Sequence, residues 1–175
     1  KGPLSSRYGQ GSMGGVMVFQ TKDARDYLLP DQHEGLHLGL GQASNNNEGQ
    51  RSGTYFMKHK NWDVLLSYQY RDAENMKVGG DTPLHNSRYL ERDSMTKMGI
   101  ELEGYRAIRF SHERYRYVAE HPLTLDAMGT NIISVQSHDD IERQSTAFHY
   151  TWNDPSQKWW NTTITLYSNE TVEEK

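Results

Sequence analysis

The sequence predicts an all-β chain, an antiparallel β-meander forming part of a transmembrane β-barrel. Three observations point there. Apolar and polar residues alternate with period two along most of the chain, helical periodicity is scarce, and the links between strands alternate between tight and long.

The strands follow in order near 16–21, 35–43, 50–59, 62–71, 94–103, 105–114, 143–152 and 158–168. In "LHLGLG", Leu36, Leu38 and Leu40 face away from His37, Gly39 and Gly41. In "WDVLLSYQY", Trp62, Val64, Leu66, Tyr68 and Tyr70 oppose Asp63, Leu65, Ser67, Gln69 and Arg71. "TKMGIELE" sets Met98, Ile100 and Leu102 against Lys97, Gly99, Glu101 and Glu103. "STAFHYTW" and "WWNTTITLY" repeat the pattern with Phe148, Tyr150 and Trp152, then Ile164 and Leu166. Each is the mark of a strand with one face apolar and one polar. The pairing expected of sequential neighbours puts Val64, Leu66, Ile100, Phe110, Phe148, Ile164 and Leu166 on one surface.

The links "HKNW", "EGY" and "NDPSQK" are short, whereas 72–93 and 115–142 are long and polar. Tight turns therefore gather at one end of the sheet and longer loops at the other, the layout of an outer-membrane barrel. Trp62, Trp152, Trp159 and Trp160 all sit beside the tight turns, as an aromatic girdle at one membrane interface would. An antiparallel sandwich whose tryptophans cap a core shares the alternation. The pattern gives each strand a polar face without saying which face is inside.

Composition narrows the function classes. Hydrophobic residues make up 34% of the chain, yet Tyr (11) and Trp (4) are plentiful, which a disordered chain would lack. The net charge of −4, with Lys and Arg scattered, leaves no footprint for nucleic acid. The absence of cysteine excludes a disulfide framework and a thiolate zinc site. The letters of "GQGSMGGV" contain a G-x-G-x-x-G spacing at Gly9, Gly11 and Gly14, but a strand follows where a nucleotide loop needs a helix.

The stretch "KGPLSSRYGQGSMGGVMVFQTKDA" resembles the end of the plug domain in TonB-dependent outer-membrane receptors, through Gly2, Pro3, Tyr8, Gly9, Gly11, Gly14, Gly15 and Val16. Phe19 to Ala24 and "SHERYR" at Ser111–Arg116 most resemble the branch that takes up haem from haemin or haemoglobin. The resemblance implies that residues 1–24 close the plug and residues 25–175 form the first part of the barrel, roughly seven strands. It implies a non-enzymatic receptor in the outer membrane of a Gram-negative bacterium. Haem would be its transported ligand, with no resident cofactor in this stretch. The implied partners are haem or haemoglobin, outer-membrane lipid, and the TonB complex through a segment upstream of this one. A siderophore or host iron protein is the alternative ligand. An unrelated soluble ligand-binding barrel or an outer-membrane lipid hydrolase is the alternative class.

The eight histidines divide by position. His37 and His149 alternate onto polar faces, His33 precedes the first barrel strand, His59 sits at a tight turn, and His112 closes a strand. His85, His121 and His138 fall in the long loops. The family's axial histidines lie in an upstream plug loop and near a later Phe-Arg-Ala-Pro box, and neither motif occurs here. The candidate ligand-contacting residues are therefore external: His85, Arg88 and Tyr89 in "PLHNSRY", with His121. Ser111 and His112 point to opposite faces of a strand and make no catalytic pair. Asp139 and Asp140 lack the spacing of a metal loop. A piece of barrel with two open edges and a greasy face is expected to self-associate in water.

Overall fold

A computed structural model describes residues 21–121, 124–125, 132–134, 137–157 and 159–174. The plug tail and the strand expected near 16–21 lie outside the described residues, apart from 21–24. A 3₁₀ turn at Ala24–Asp26 leads into β1 (Glu34–Ala43), β2 (Glu48–His59) and β3 (Trp62–Ala73). The short pair β4 (Lys77–Val78) and β5 (Thr82–Pro83) precedes β6 (Tyr89–Leu102) and β7 (Arg106–His121). A second short pair, β8 (Thr124–Leu125) and β9 (Ile132–Ser134), precedes β10 (Ser137–Trp152) and β11 (Thr162–Glu174).

Seven strands make one antiparallel sheet in the order β1-β2-β3-β6-β7-β10-β11, so every main strand pairs with its neighbour in sequence. The meander expected from the alternation is what forms. The tight links 60–61 and 103–105 close its lower end with the longer link 153–161, which the sequence pattern makes shorter by starting the last strand near 158. Lys60 and Tyr105 enter the left-handed region at φ 51° and 61° to make two of those turns, and Gly104, at φ 74°, does so without a Cβ penalty. The four-residue link 44–47 and the two long loops lie at the upper end.

Antiparallel partners share a face, so the registers can be followed across the sheet. Val64 pairs with Met98, Met98 with Phe110, Phe110 with Phe148, and Phe148 with Leu166. Leu66, Ile100 and Ile164 stand two residues along the same strands. The seven apolar residues expected on one surface share it.

That surface is the exposed one. Leu38 is 76% exposed, Leu40 88% and Leu166 63%, and Leu66, Met98, Phe148 and Ile164 are exposed with them. The opposite, polar face carries the lead-in segment 21–33. There Ala24, Phe56 and Leu65 are buried, with Tyr27 and Leu28 packed against them. Tyr27 stacks on Phe56 at 5.1 Å, and the His37 ring meets both edge-on. Among the described residues, then, the polar face is the covered one and the apolar face the exposed one.

The apolar band also runs obliquely. Its centre is Leu38 in β1, which lies in register with Tyr68 of β3 through Gly53. In β11 its centre is Ile164, which traces back through Tyr150, Ile108 and Ile100 to Trp62. The band has slipped from the level of Tyr68 to that of Trp62 over six strand-to-strand steps, one residue per step. A rise of ~3.3 Å per residue against a spacing of ~4.8 Å gives a tilt of about 35°, inside the range of closed barrels.

Several strands are longer than the sequence suggests. β6 begins at Tyr89 instead of 94, β7 runs to His121 instead of 114, and β10 begins at Ser137 instead of 143. β11 spans Thr162–Glu174 instead of 158–168. In these extensions isolated apolar residues such as Leu90, Val118 and Ile141 stand among charged ones, so they carry no sustained period-two hydrophobic signal. His112 consequently lies within β7, on the outer face, where its Nδ1 is 2.9 Å from Thr146 Oγ1. His121 ends β7 and His138 belongs to β10; neither is a loop residue.

Among the described residues, β1 and β11 each present an unpaired edge beside the exposed apolar face. In detergent-free buffer the 175-residue chain is expected to self-associate, read by light scattering. A monomer at high concentration, with both edge strands slow in hydrogen exchange, would contradict this.

Candidate functional site on the inner face

The inner face is organised in two levels. At the lower level the focus is Asp63, 2% exposed, on β3. It lies in one register row with Gly99 of β6 and Arg109 of β7. Gly99 has no side chain, and the Arg109 guanidinium crosses over it to reach Asp63 Oδ1 and Oδ2 at 2.9 and 2.8 Å. A Cβ at position 99 would come within 2.1 Å of Arg109 Nη1. The glycine is what lets two residues on strands that are not neighbours pair directly.

The lead-in segment closes on the same point. Arg25 Nε donates to Asp63 Oδ2 at 2.7 Å, and Arg25 Nη1 pairs with Glu101. Lys97 Nζ donates to the carbonyls of Thr21 and Lys22 at 2.7 and 3.0 Å and to Asp23 Oδ1 at 2.9 Å. One buried carboxylate between two guanidiniums thus joins the wall to the segment that lies inside it. Charge-assisted pairs of this kind are short and directional, and removing one partner leaves an uncompensated buried charge.

At the upper level, tyrosines, arginines and carboxylates alternate across β2, β3, β6, β7 and β10. Arg71 stands between Glu48 and Glu91, at 3.4 Å from each. Arg143 pairs with Glu113 at 2.7 Å and lies over the Tyr115 ring. The rings of Tyr89 and Tyr117 are 6.1 Å apart. Burial, above all, raises both hydroxyls above the ordinary tyrosine value, and a hydrogen bond to Glu48 adds to it at Tyr89. They are neutral hydrogen-bond donors, and a metal would have to displace a proton to bind either as phenolate.

The four candidate residues from the sequence do not all converge. Tyr89 and His121 share the inner face, because Tyr89 is in register with Ala119, two residues before His121. His121 Nε2 is 3.1 Å from Asp139 Oδ2. Arg88 turns to the outer side and pairs with Glu120. His85 is exposed in the loop before β6, which Ser87 secures by accepting from the Met76 N–H at 2.8 Å and donating to the Leu84 carbonyl at 2.6 Å. Among the described residues no group of three or more His, Cys, Asp or Glu could hold a metal ion. Asp140 instead accepts two hydrogen bonds from Arg116, at 3.0 and 2.6 Å, which hold its carboxyl below the ordinary value.

The sequence reading missed Asp63, Gly99 and Arg109, although a glycine on the polar face of a strand signals close approach. It also missed Tyr115 and Tyr117. The alternation in "RYRY" (114–117) separates arginines from tyrosines and would have found them.

No family model matches the chain. Among curated proteins, heme/hemopexin utilization protein C of Haemophilus influenzae is 26% identical across 100% of this chain and 30% of its own length. Hemin receptor of Yersinia pestis is 22% identical over 97% of this chain and 25% of its own. TonB-dependent heme receptor A of Haemophilus influenzae is 33% identical over 58% of this chain and 14% of its own. This chain resembles bacterial haem receptors along its whole length. It spans under a third of those relatives. The haem-receptor resemblance read from the first residues and from "SHERYR" agrees with what these relatives are named.

The Asp63 junction generates a stability prediction. Asp63→Asn leaves Arg25 and Arg109 without their shared charge and is expected to cost about 3 kcal/mol. Gly99→Val, which drives a side chain into Arg109, should cost a similar amount. Unfolding midpoints of the detergent-solubilised protein check both. A loss no larger than that of an exposed pair such as Arg114–Glu142 (2.7 Å) would contradict the junction's role.

Proposed function

We propose that this chain is the lead-in and first wall strands of an outer-membrane receptor that imports haem for iron acquisition in a TonB-dependent manner. The observation that carries the reading is the inverted sheet. Its exposed face is apolar, its covered face is polar, and its apolar band tilts as barrel strands do. A soluble binding barrel needs the reverse. The names of the whole-length relatives supply haem as the ligand.

In this reading residues 1–24 end the plug and residues 25–175 begin the barrel. The plug tail leaves through the lead-in segment, pinned to the lower inner wall at Asp63. Energy delivered to the plug by TonB then has a fixed anchor to work against. Haem, or haemoglobin presenting it, is received at the upper rim, where His85 and Arg88 stand outside and Tyr89 and His121 stand on the path inward. The arginines of the upper level suit propionates, and the tyrosine rings suit the porphyrin face. The work is binding and passage, without covalent chemistry.

Growth on haem as sole iron source, in cells carrying the complete receptor, tests this. Tyr89→Ala with His121→Ala is expected to lower haem uptake about tenfold, or 1.4 kcal/mol, at unchanged surface abundance. Uptake equal to the unsubstituted receptor would remove both residues from the path. Failure of the unsubstituted receptor to support growth on haem would overturn the function. The 175 residues alone are expected to give no sharp six-coordinate Soret band with haemin.

A further inference from the structure

The outer face changes character at the top of the apolar band. A window of about ten residues per strand, centred on that band, ends near Gly49, Tyr70, Arg92 and Arg114, with Arg51 one outward-facing position below the end in β2. Arg51, Tyr70, Arg92 and Arg116 occupy one register row and point the same way. Arg92 and Arg116 are direct cross-strand neighbours, a like-charge pairing that destabilises a sheet unless something neutralises it. Arg116 is neutralised by Asp140, and Arg114 by Glu142 at 2.7 Å. Arg51 and Arg92 make no ion pair among the described residues. Both lie over the Tyr70 ring, at 5.9 and 5.7 Å from its centroid, and both are exposed.

We propose that Arg51 and Arg92, spaced by Tyr70, bind the phosphate of a lipid headgroup in the outer-facing leaflet. This rests on the membrane reading above. Guanidinium forks match phosphate oxygens two at a time, and Tyr70 holds both forks at the border between grease and water. The occupant is a lipid because the site is only half polar. Beside Arg51 in the same row stands Leu40, and below them Leu38 and Tyr68, all exposed. Acyl chains have a shelf there, which a free anion would leave uncovered.

The test uses the complete protein in nanodiscs of phosphatidylcholine, with and without bisphosphorylated lipid A. Lipid A retained per protein is measured by mass spectrometry. Arg51→Gln with Arg92→Gln is expected to reduce retention at least about tenfold, and Arg51→Lys with Arg92→Lys to restore part of it. Inorganic phosphate is expected not to displace the lipid. Equal retention by the glutamine variant, or displacement by inorganic phosphate, overturns the site. Insertion is read separately, from quenching of tryptophan by brominated phosphatidylcholine in discs free of lipid A. Absent quenching overturns the membrane reading itself, whereas normal quenching without preference for lipid A overturns only the phosphate site.

Discussion

Asp63 is the point through which the two parts of the chain hold each other. Its carboxylate is almost wholly withdrawn from water and shared by Arg109 of the wall and Arg25 of the lead-in segment. An unpaired charge there would be costly, so its position fixes three things together. Gly99 has to remain bare, β3, β6 and β7 have to keep their register, and the lead-in segment has to lie on the polar face. With that segment inside, the small cluster of Ala24, Phe56, Leu65 and Tyr27 forms above it, and the other face is left exposed.

In the proposed membrane reading, what remains exposed meets lipid. Burying each large side chain of the band is worth ~1.5–3 kcal/mol, and the band runs the full width of the sheet. Its slope of one residue per strand is a geometric signature that a sandwich core has no reason to keep. A band level with a flat bilayer must cross tilted strands obliquely. The charges begin where the band ends, with Arg51, Arg92 and Arg114 along one border and the tryptophan-bearing turns along the other.

Much of this was legible in the sequence, for a physical reason. One face of each strand is apolar and the other polar, which writes a period-two code, and Val64, Leu66, Phe148 and Leu166 are readable from it. Above the band both faces meet polar surroundings, and the code stops. Tyr89–Asp93, Arg116–His121 and Ser137–Glu142 looked like loop although they are strand. The Asp63 junction was invisible for another reason. Its partners are far apart in sequence and meet only through register, with a missing side chain at Gly99 as the sole local trace. His121 and Tyr89, loop residues by the sequence pattern, share a wall, while Arg88 turns away.

In the proposed membrane reading the polar face is the inside and the apolar face meets lipid. The chain contains no cysteine, so single substitutions report cleanly. Leu66→Cys and Leu166→Cys probe the outer face, and Thr165→Cys and Asn169→Cys the inner one. In membrane vesicles carrying the complete protein, a water-soluble maleimide should label positions 165 and 169 and spare 66 and 166. Labelling of 66 and 166 at the rate of 165 and 169 would contradict the account.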